Sequence, residues 1–255
     1  MDTMVDQGLI NTKAYSIYLN SRHSSTGSIV FGGLNTTKYH GNLIQLPVIP
    51  YANSTGTQLY QLLQVNMTGF SINNKNSTTG NIMNSSNNIT AILDTRAQVS
   101  YLPVSLISSI VANLGGIFDS TLDYDNPNPF SGVPFVDYNI RKQQPQGTFD
   151  FAFSGHEGGI KVPCGEFLLN IADIYNFPSD LALPKLPFTS ICTIAALPNT
   201  DLPYVLGDSF MRSAYIVFDL KNNLVGMANM NFNSSTSRIV DLPKDMSRIP
   251  GLVSL

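Results

Sequence analysis

The chain has 255 residues, a net charge of −3, 43% apolar residues, only 12% charged residues and no Trp. That charged share is about half the usual one, and polarity is carried instead by Asn, Ser and Thr. The 14 Lys and Arg are scattered rather than clustered, which argues against a nucleic-acid or anionic-membrane partner. The length suits one large β domain or two small ones with a sizeable core.

In chain order, residues 4–12 suit a short helix, and Tyr15 to Leu19 alternates with the period of a strand. A turn cluster follows from Ser21 to Gly27. Strands are expected at Ser28 to Phe31, ending in Gly32-Gly33, and at Leu43 to Val48. Leu59 to Phe70 and Ile72 read as two more, followed by a polar Asn/Ser/Thr loop from Asn73 to Asn88. After Pro103, apolar residues at 106, 107, 110, 111 and 114 have helical spacing, and Gly115 suits the stop. Phe118 to Gln146 reads as irregular. Thr148 to Phe153 alternates cleanly as a strand. Further strands are expected at 159–163, 166–171, 191–197, 204–206, 214–220 and 224–230, with a Pro-rich loop from Pro178 to Pro187. Many short strands with one clear helix define an all-β fold. No linker splits the chain.

One stretch concentrates chemistry. Ala91-Ile92-Leu93 delivers Asp94-Thr95, and a second apolar run, Val99 to Leu102, follows Arg96-Ala97-Gln98. An acid at the end of a buried strand is costly unless it is hydrogen-bonded or used. Taken alone, the pair also fits a hairpin turn. It is flanked by Gly8-Leu9-Ile10-Asn11-Thr12-Lys13-Ala14-Tyr15-Ser16-Ile17-Tyr18-Leu19 upstream and by Val205-Leu206-Gly207-Asp208-Ser209-Phe210-Met211-Arg212 downstream.

In this order the three pieces resemble the C-terminal lobe of a pepsin-like fungal aspartic protease, of candidapepsin or yapsin type. The resemblance runs from about Val5 to Phe232. It implies one lobe of a bilobal β fold with one or two short helices over residues 1–236, and a tail over 237–255. It implies aspartic endopeptidase chemistry on a peptide or protein substrate, with no cofactor. In that chemistry two carboxylates share a proton around a water. By resemblance, Asp94 takes the place of the second catalytic Asp. Thr95 takes that of the residue whose hydroxyl locks the two loops together, and Val205-Leu206-Gly207 that of the segment threading behind them.

The stretch departs from the family pattern at two places. Arg96 stands where the family has Gly, and a guanidinium there favours the ionised acid. Ala97 stands where the family has Ser or Thr, removing a hydroxyl that would hold the carboxylate. No Asp-Thr-Gly or Asp-Ser-Gly occurs anywhere in the sequence. The expected reading is therefore a lobe lacking its N-terminal counterpart and catalytically impaired. The alternatives are a non-catalytic peptide-binding or regulatory pseudoprotease, or a structural surface glycoprotein. A homodimer pairing two copies of Asp94 would bring two guanidiniums into the dyad. Without a partner lobe, edge strands and an apolar face should be exposed, which predicts self-association.

Seven Asn-x-Ser/Thr sequons occur, at Asn35, Asn53, Asn66, Asn76, Asn84, Asn88 and Asn233. With the resemblance they point to an extracellular or cell-wall glycoprotein. Met1 to Asp6 has neither the basic nor the apolar region of a signal peptide. Asp241 to Leu255 lacks the apolar segment of a GPI signal, and no apolar run is long enough to span a membrane. For the two cysteines, a Cys164–Cys192 disulfide and two buried thiols are both open. His23, His40 and His156 show no metal-ligand spacing. Ser209 lacks the Gly-x-Ser-x-Gly setting of a hydrolase nucleophile.

Overall fold

A computed structural model describes residues 1–52, 55–74, 77–83, 88–120, 130–143, 146–153, 159–175, 185–247 and 249. Two sheets carry most of the chain. The first contains β1 (Ala14–Tyr18), β2 (Ser28–Phe31) and β4 (Tyr39–Pro47), with β3 (Gly33–Asn35) beside it. The second is built from β5 (Gln64–Asn74), β6 (Ile89–Leu93), β7 (Ser100–Pro103), β8 (Thr148–Phe153), β9 (Ile160–Pro163), β10 (Ala196–Asn199) and β11 (Tyr204–Leu206). The chain then returns to the first sheet through β12 (Ala214–Asp219) and β13 (Leu224–Met230), and a short β14 (Ile239–Asp241) pairs with β3. The strand orders are β2-β1-β12-β13-β4 and β9-β8-β5-β6-β11-β7-β10.

The core lies between these layers and follows the period-two pattern of the strands. In β8 the burial alternates strictly, so Phe149, Phe151 and Phe153 point inward and Asp150 and Ala152 outward. Their rings meet Phe70, Phe167 and Phe210. Phe70 and Phe151 pack edge-on with centroids 4.8 Å apart, and Phe149 lies 4.8 Å from Phe167. Each such side chain contributes about 1.5–3 kcal/mol by leaving water. The helix Val104–Asn113 buries Leu106, Ile107, Ile110 and Val111, the face its spacing predicts. Gly115 ends it at φ +63°, with the Gly116 N–H bonded to the Val111 carbonyl.

Several elements differ from the sequence reading. The first helix is Asp2–Asp6, ahead of the expected 4–12. Residues 64–74 form one long strand rather than two, because Thr68 bulges opposite the Ala152/Phe153 step and lets the pattern shift face without a break. Within the 118–146 region, Pro134–Asp137 is a buried strand and Asn139–Gln143 a helix. Residues 166–171 are split between the helix Cys164–Phe167 and the strand Leu168–Asn170. The loop expected at 178–187 falls largely on residues 176–184, outside the described ones, as does His156.

Of the stretch 237–255 read as a tail, residues 239–246 and 249 pack against the lobe. Beyond β14, the Leu242 N–H bonds to the Gly32 carbonyl. Leu242, Met246 and Ile249 are buried against Tyr18, Leu43, Tyr215 and Val217 on the outer side of the first sheet. At one edge of that sheet, β2 pairs with β1 on one side and with no strand among the described residues on the other, and leaves Ile29 56% and Phe31 49% exposed.

Candidate active site

The site is built where three strands meet. β11 lies parallel to β6 and antiparallel to β7, so it threads between the strand that delivers Asp94 and the strand that leaves the loop. The Asp94 N–H bonds to the Leu206 carbonyl at 3.2 Å, and the Asp208 N–H to the Ala97 carbonyl at 2.7 Å. These two bonds fasten the loop to the threading segment on both sides. Gly207 is required for the crossing. A Cβ there would stand 2.3 Å from the Val99 oxygen and 2.5 Å from the Ala97 oxygen.

Two serines complete the support. Ser100 and Ser209 are buried, and their hydroxyls lie 3.0 Å apart. Ser209 Oγ also accepts the Ser100 N–H at 3.1 Å, and Ser100 Oγ accepts the Gly207 N–H at 3.2 Å. Sequence reasoning considered Ser209 only as a nucleophile and missed this role. The signal was a polar residue at an inward position of an apolar strand, Ser100 beside Val99 and Leu102, which demands an internal partner.

Asp94 opens toward the surface, with 26% of its side chain exposed. Its Oδ1 accepts the Arg96 N–H at 2.9 Å and Arg96 Nε at 3.3 Å, and its Oδ2 accepts Arg96 Nη2 at 3.4 Å. The backbone N–H first, then the guanidinium, hold the carboxyl below the ordinary aspartate range. Arg96 itself is 91% exposed at its side chain. Thr95 is exposed, and its hydroxyl makes no hydrogen bond among the described residues.

Behind the loop is a polar pocket of about 160 Å³, lined in part by Gln98, Glu166, Asp208 and Arg212. Asp208 pairs with Arg212 at 3.2 Å, yet its Oδ1 is buried without a hydrogen-bond partner among the described residues. Burial pushes the Asp208 carboxyl up, Arg212 opposes that shift, and the charge of Asp94 adds to it. The two acids nearest the loop are thus displaced in opposite directions.

The remaining candidates lie away from this site. Cys164 and Cys192 are both buried, in the helix Cys164–Phe167 and in the strand Ile191–Ile194. Among the described residues, no cluster of three or more His, Cys, Asp or Glu is placed to hold a metal, and no helix is long and apolar enough to cross a membrane. Asn53, Asn76 and Asn84 lie outside the described residues. Asn35 is the most enclosed of the described sequon asparagines. It is 3% exposed, its Nδ2 donates to Ser237 Oγ, and its Oδ1 accepts from Thr37 and Arg238. Its carboxamide is engaged on both atoms inside the fold. Asn66, Asn88 and Asn233 are not so enclosed.

The eukaryotic aspartyl protease family model matches residues 1–230, and the chain belongs to that family. Among its relatives, the probable aspartic-type endopeptidase opsB of Aspergillus oryzae is 32% identical over 248 residues, covering 97% of this chain and 45% of that protein. The Aspergillus fumigatus protein of the same name is 33% identical over 249 residues, with the same coverages. Secreted aspartic protease 4 of Candida albicans is 32% identical over 235 residues, covering 92% of this chain and 46% of that protein. The chain spans just under half the length of the curated relatives it matches. Its mostly β architecture with few short helices is that of one lobe of a pepsin-like protease.

Proposed function

We propose that this chain is the C-terminal-type lobe of an aspartic endopeptidase, with Asp94 in the place of the second catalytic acid, and that by itself it does not cleave peptides. The observation that carries the reading is the capture of both Asp94 oxygens by Arg96. A dyad works because two close carboxylates share a proton. An arginine on the same oxygens keeps the acid ionised. The pair is exposed, so it adds little to stability. Its consequence lies in the charge and occupancy of the site. Thr95 remains outward, where a second loop would meet its hydroxyl.

The same reading gives the chain peptide or protein ligands along half a cleft, and a second polypeptide, either an N-terminal-type lobe or another copy, at the β2 edge. The bare Ile29 and Phe31 support the latter, since β2 carries none of the charges or prolines that usually protect an edge. It also gives the chain a secretory, extracellular or wall-bound location, in keeping with its sequons and with the name of the Candida relative.

The test is cleavage of an unfolded protein at acid pH by the whole chain, its Asp94→Ala variant and an Arg96→Gly, Ala97→Ser double variant. The expected result is no cleavage that is both lost in Asp94→Ala and blocked by a statyl-type inhibitor. Cleavage by the native sequence meeting both conditions overturns the reading.

A further inference from the structure

An N-linked glycan is attached to the carboxamide of Asn in Asn-x-Ser/Thr, and its attachment needs an accessible loop and the hydroxyl two residues on. Four sequons lie wholly among the described residues, and the fold engages their groups differently. At Asn35 the carboxamide is enclosed, and the hydroxyl of Thr37 meets Asn35 Oδ1 at 2.9 Å and the Thr236 carbonyl at 2.8 Å. Asn66 is half-buried within β5, and its Oδ1 accepts the Thr90 hydroxyl at 2.8 Å. Thr90 is the hydroxyl residue of the Asn88 sequon and lies within β6. One bond thus engages both of those sequons, and both run into strands.

Asn233 differs on every count. It lies exposed in the loop between β13 and β14, with a left-handed backbone at φ +57°. That loop is fastened from both sides. The Asn233 N–H bonds to Asn20 Oδ1 at 2.9 Å, and the Asn231 N–H to the Lys38 carbonyl at 2.9 Å. Asn231 Nδ2 donates to the Thr37 carbonyl at 2.8 Å, and Lys38 Nζ donates to the Ser234 carbonyl. These bonds hold the backbone of the turn. The Asn233 carboxamide and the exposed Ser235 hydroxyl make no hydrogen bond among the described residues. Of the four sequons, this one alone presents both recognition groups unengaged, and on a loop.

We propose that Asn233 is the principal glycan acceptor among these four sequons and that Asn35 is not one in the folded protein. In the covalent step Asn233 Nδ2 bonds to the anomeric carbon of a lipid-diphosphate-linked oligosaccharide. The bond from that carbon to the diphosphate oxygen breaks, the lipid diphosphate leaves with the electron pair, and the amide loses one proton to solvent. A carboxamide spent inside the fold, as at Asn35, can carry a glycan only by giving up its bonds. At Asn233 no side-chain bond among the described residues is lost. The inference rests on the secretory location proposed above, and is independent of whether Asp94 is catalytic.

The experiment is secretion of the full chain from yeast behind a secretion leader, which supplies the route whatever the native address. Folded protein is treated with peptide-N-glycosidase in heavy-oxygen water and its peptides are mapped. Asn233 is expected to carry the label at higher occupancy than Asn66 or Asn88, with Asn35 unlabelled. Asn233→Gln and Ser235→Ala, both at exposed side chains, should each remove one glycan's step in gel mobility and leave the melting temperature of the deglycosylated protein unchanged. An unlabelled Asn233, a labelled Asn35, or occupancy at Asn66 or Asn88 equal to or above that at Asn233 overturns the proposal. So does a Ser235→Ala variant that keeps its glycan on Asn233. Protein from its own host that is bare at Asn233, while the leader-driven protein is occupied there, counts against the secretory location and leaves the acceptor site standing.

Discussion

The loop that carries Asp94 and the segment that threads behind it are constrained to different degrees. The threading segment keeps everything its geometry demands. Gly207 fits where no side chain can, and the Ser100–Ser209 pair satisfies the backbone around it. The loop in front has Arg96 and Ala97, and its arginine folds back on the acid. Behind the loop a change breaks packing and buried hydrogen bonds, which destabilises the whole lobe. In front of it a change reaches only solvent. The fold therefore depends far more on the segment behind the loop than on the side chains in front of it.

That contrast ranks the consequences of mutation. Gly207→Ala should be the most damaging, costing at least about 4 kcal/mol, because two backbone oxygens must move. Loss of the cooperative thermal transition, or of soluble protein, would register it. Ser209→Ala removes one of the two acceptors of the buried Ser100 N–H, the Ala195 carbonyl remaining, together with the partner of the Ser100 hydroxyl, and should cost about 1 kcal/mol in denaturant unfolding. Arg96→Gly should change neutral-pH stability little but alter its acid limb. The folded pKa of Asp94 is depressed, so its contribution is present above the ordinary aspartate value and lost as pH falls through the depressed one. Removing the guanidinium leaves only the backbone N–H, so that loss should move to higher pH. Thr95→Val, at an exposed and unbonded hydroxyl, should stay within about 0.5 kcal/mol of the native protein by chemical denaturation. A Thr95→Val penalty matching that of Ser209→Ala would erase the distinction between front and back.

The parts visible in the sequence were those in which local pattern and tertiary role coincide. The helix Val104–Asn113 shows its buried face in its spacing, and β8 shows its inward phenylalanines by alternation. Ile92-Leu93-Asp94 and Val205-Leu206-Gly207 are legible because a buried strand must end abruptly at each polar or glycine position. What stayed hidden depends on partners distant in the chain. Leu242, Met246 and Ile249 form no strand or helix period and sit among prolines and charges, yet the first sheet buries all three. The Asn35 sequon has the form of the others, and only its bonds to Thr37, Ser237 and Arg238 reveal a structural side chain. The raised pKa of Asp208 comes from burial, which its local sequence does not show.

The most direct test of the central claim is the titration of the Asp94 carboxyl carbon by NMR, in the whole chain and in its Arg96→Gly variant. The account predicts a midpoint below the ordinary aspartate range in the native sequence, moving upward when the guanidinium is removed. A native midpoint at or above that range, or one that Arg96→Gly leaves in place, would contradict it.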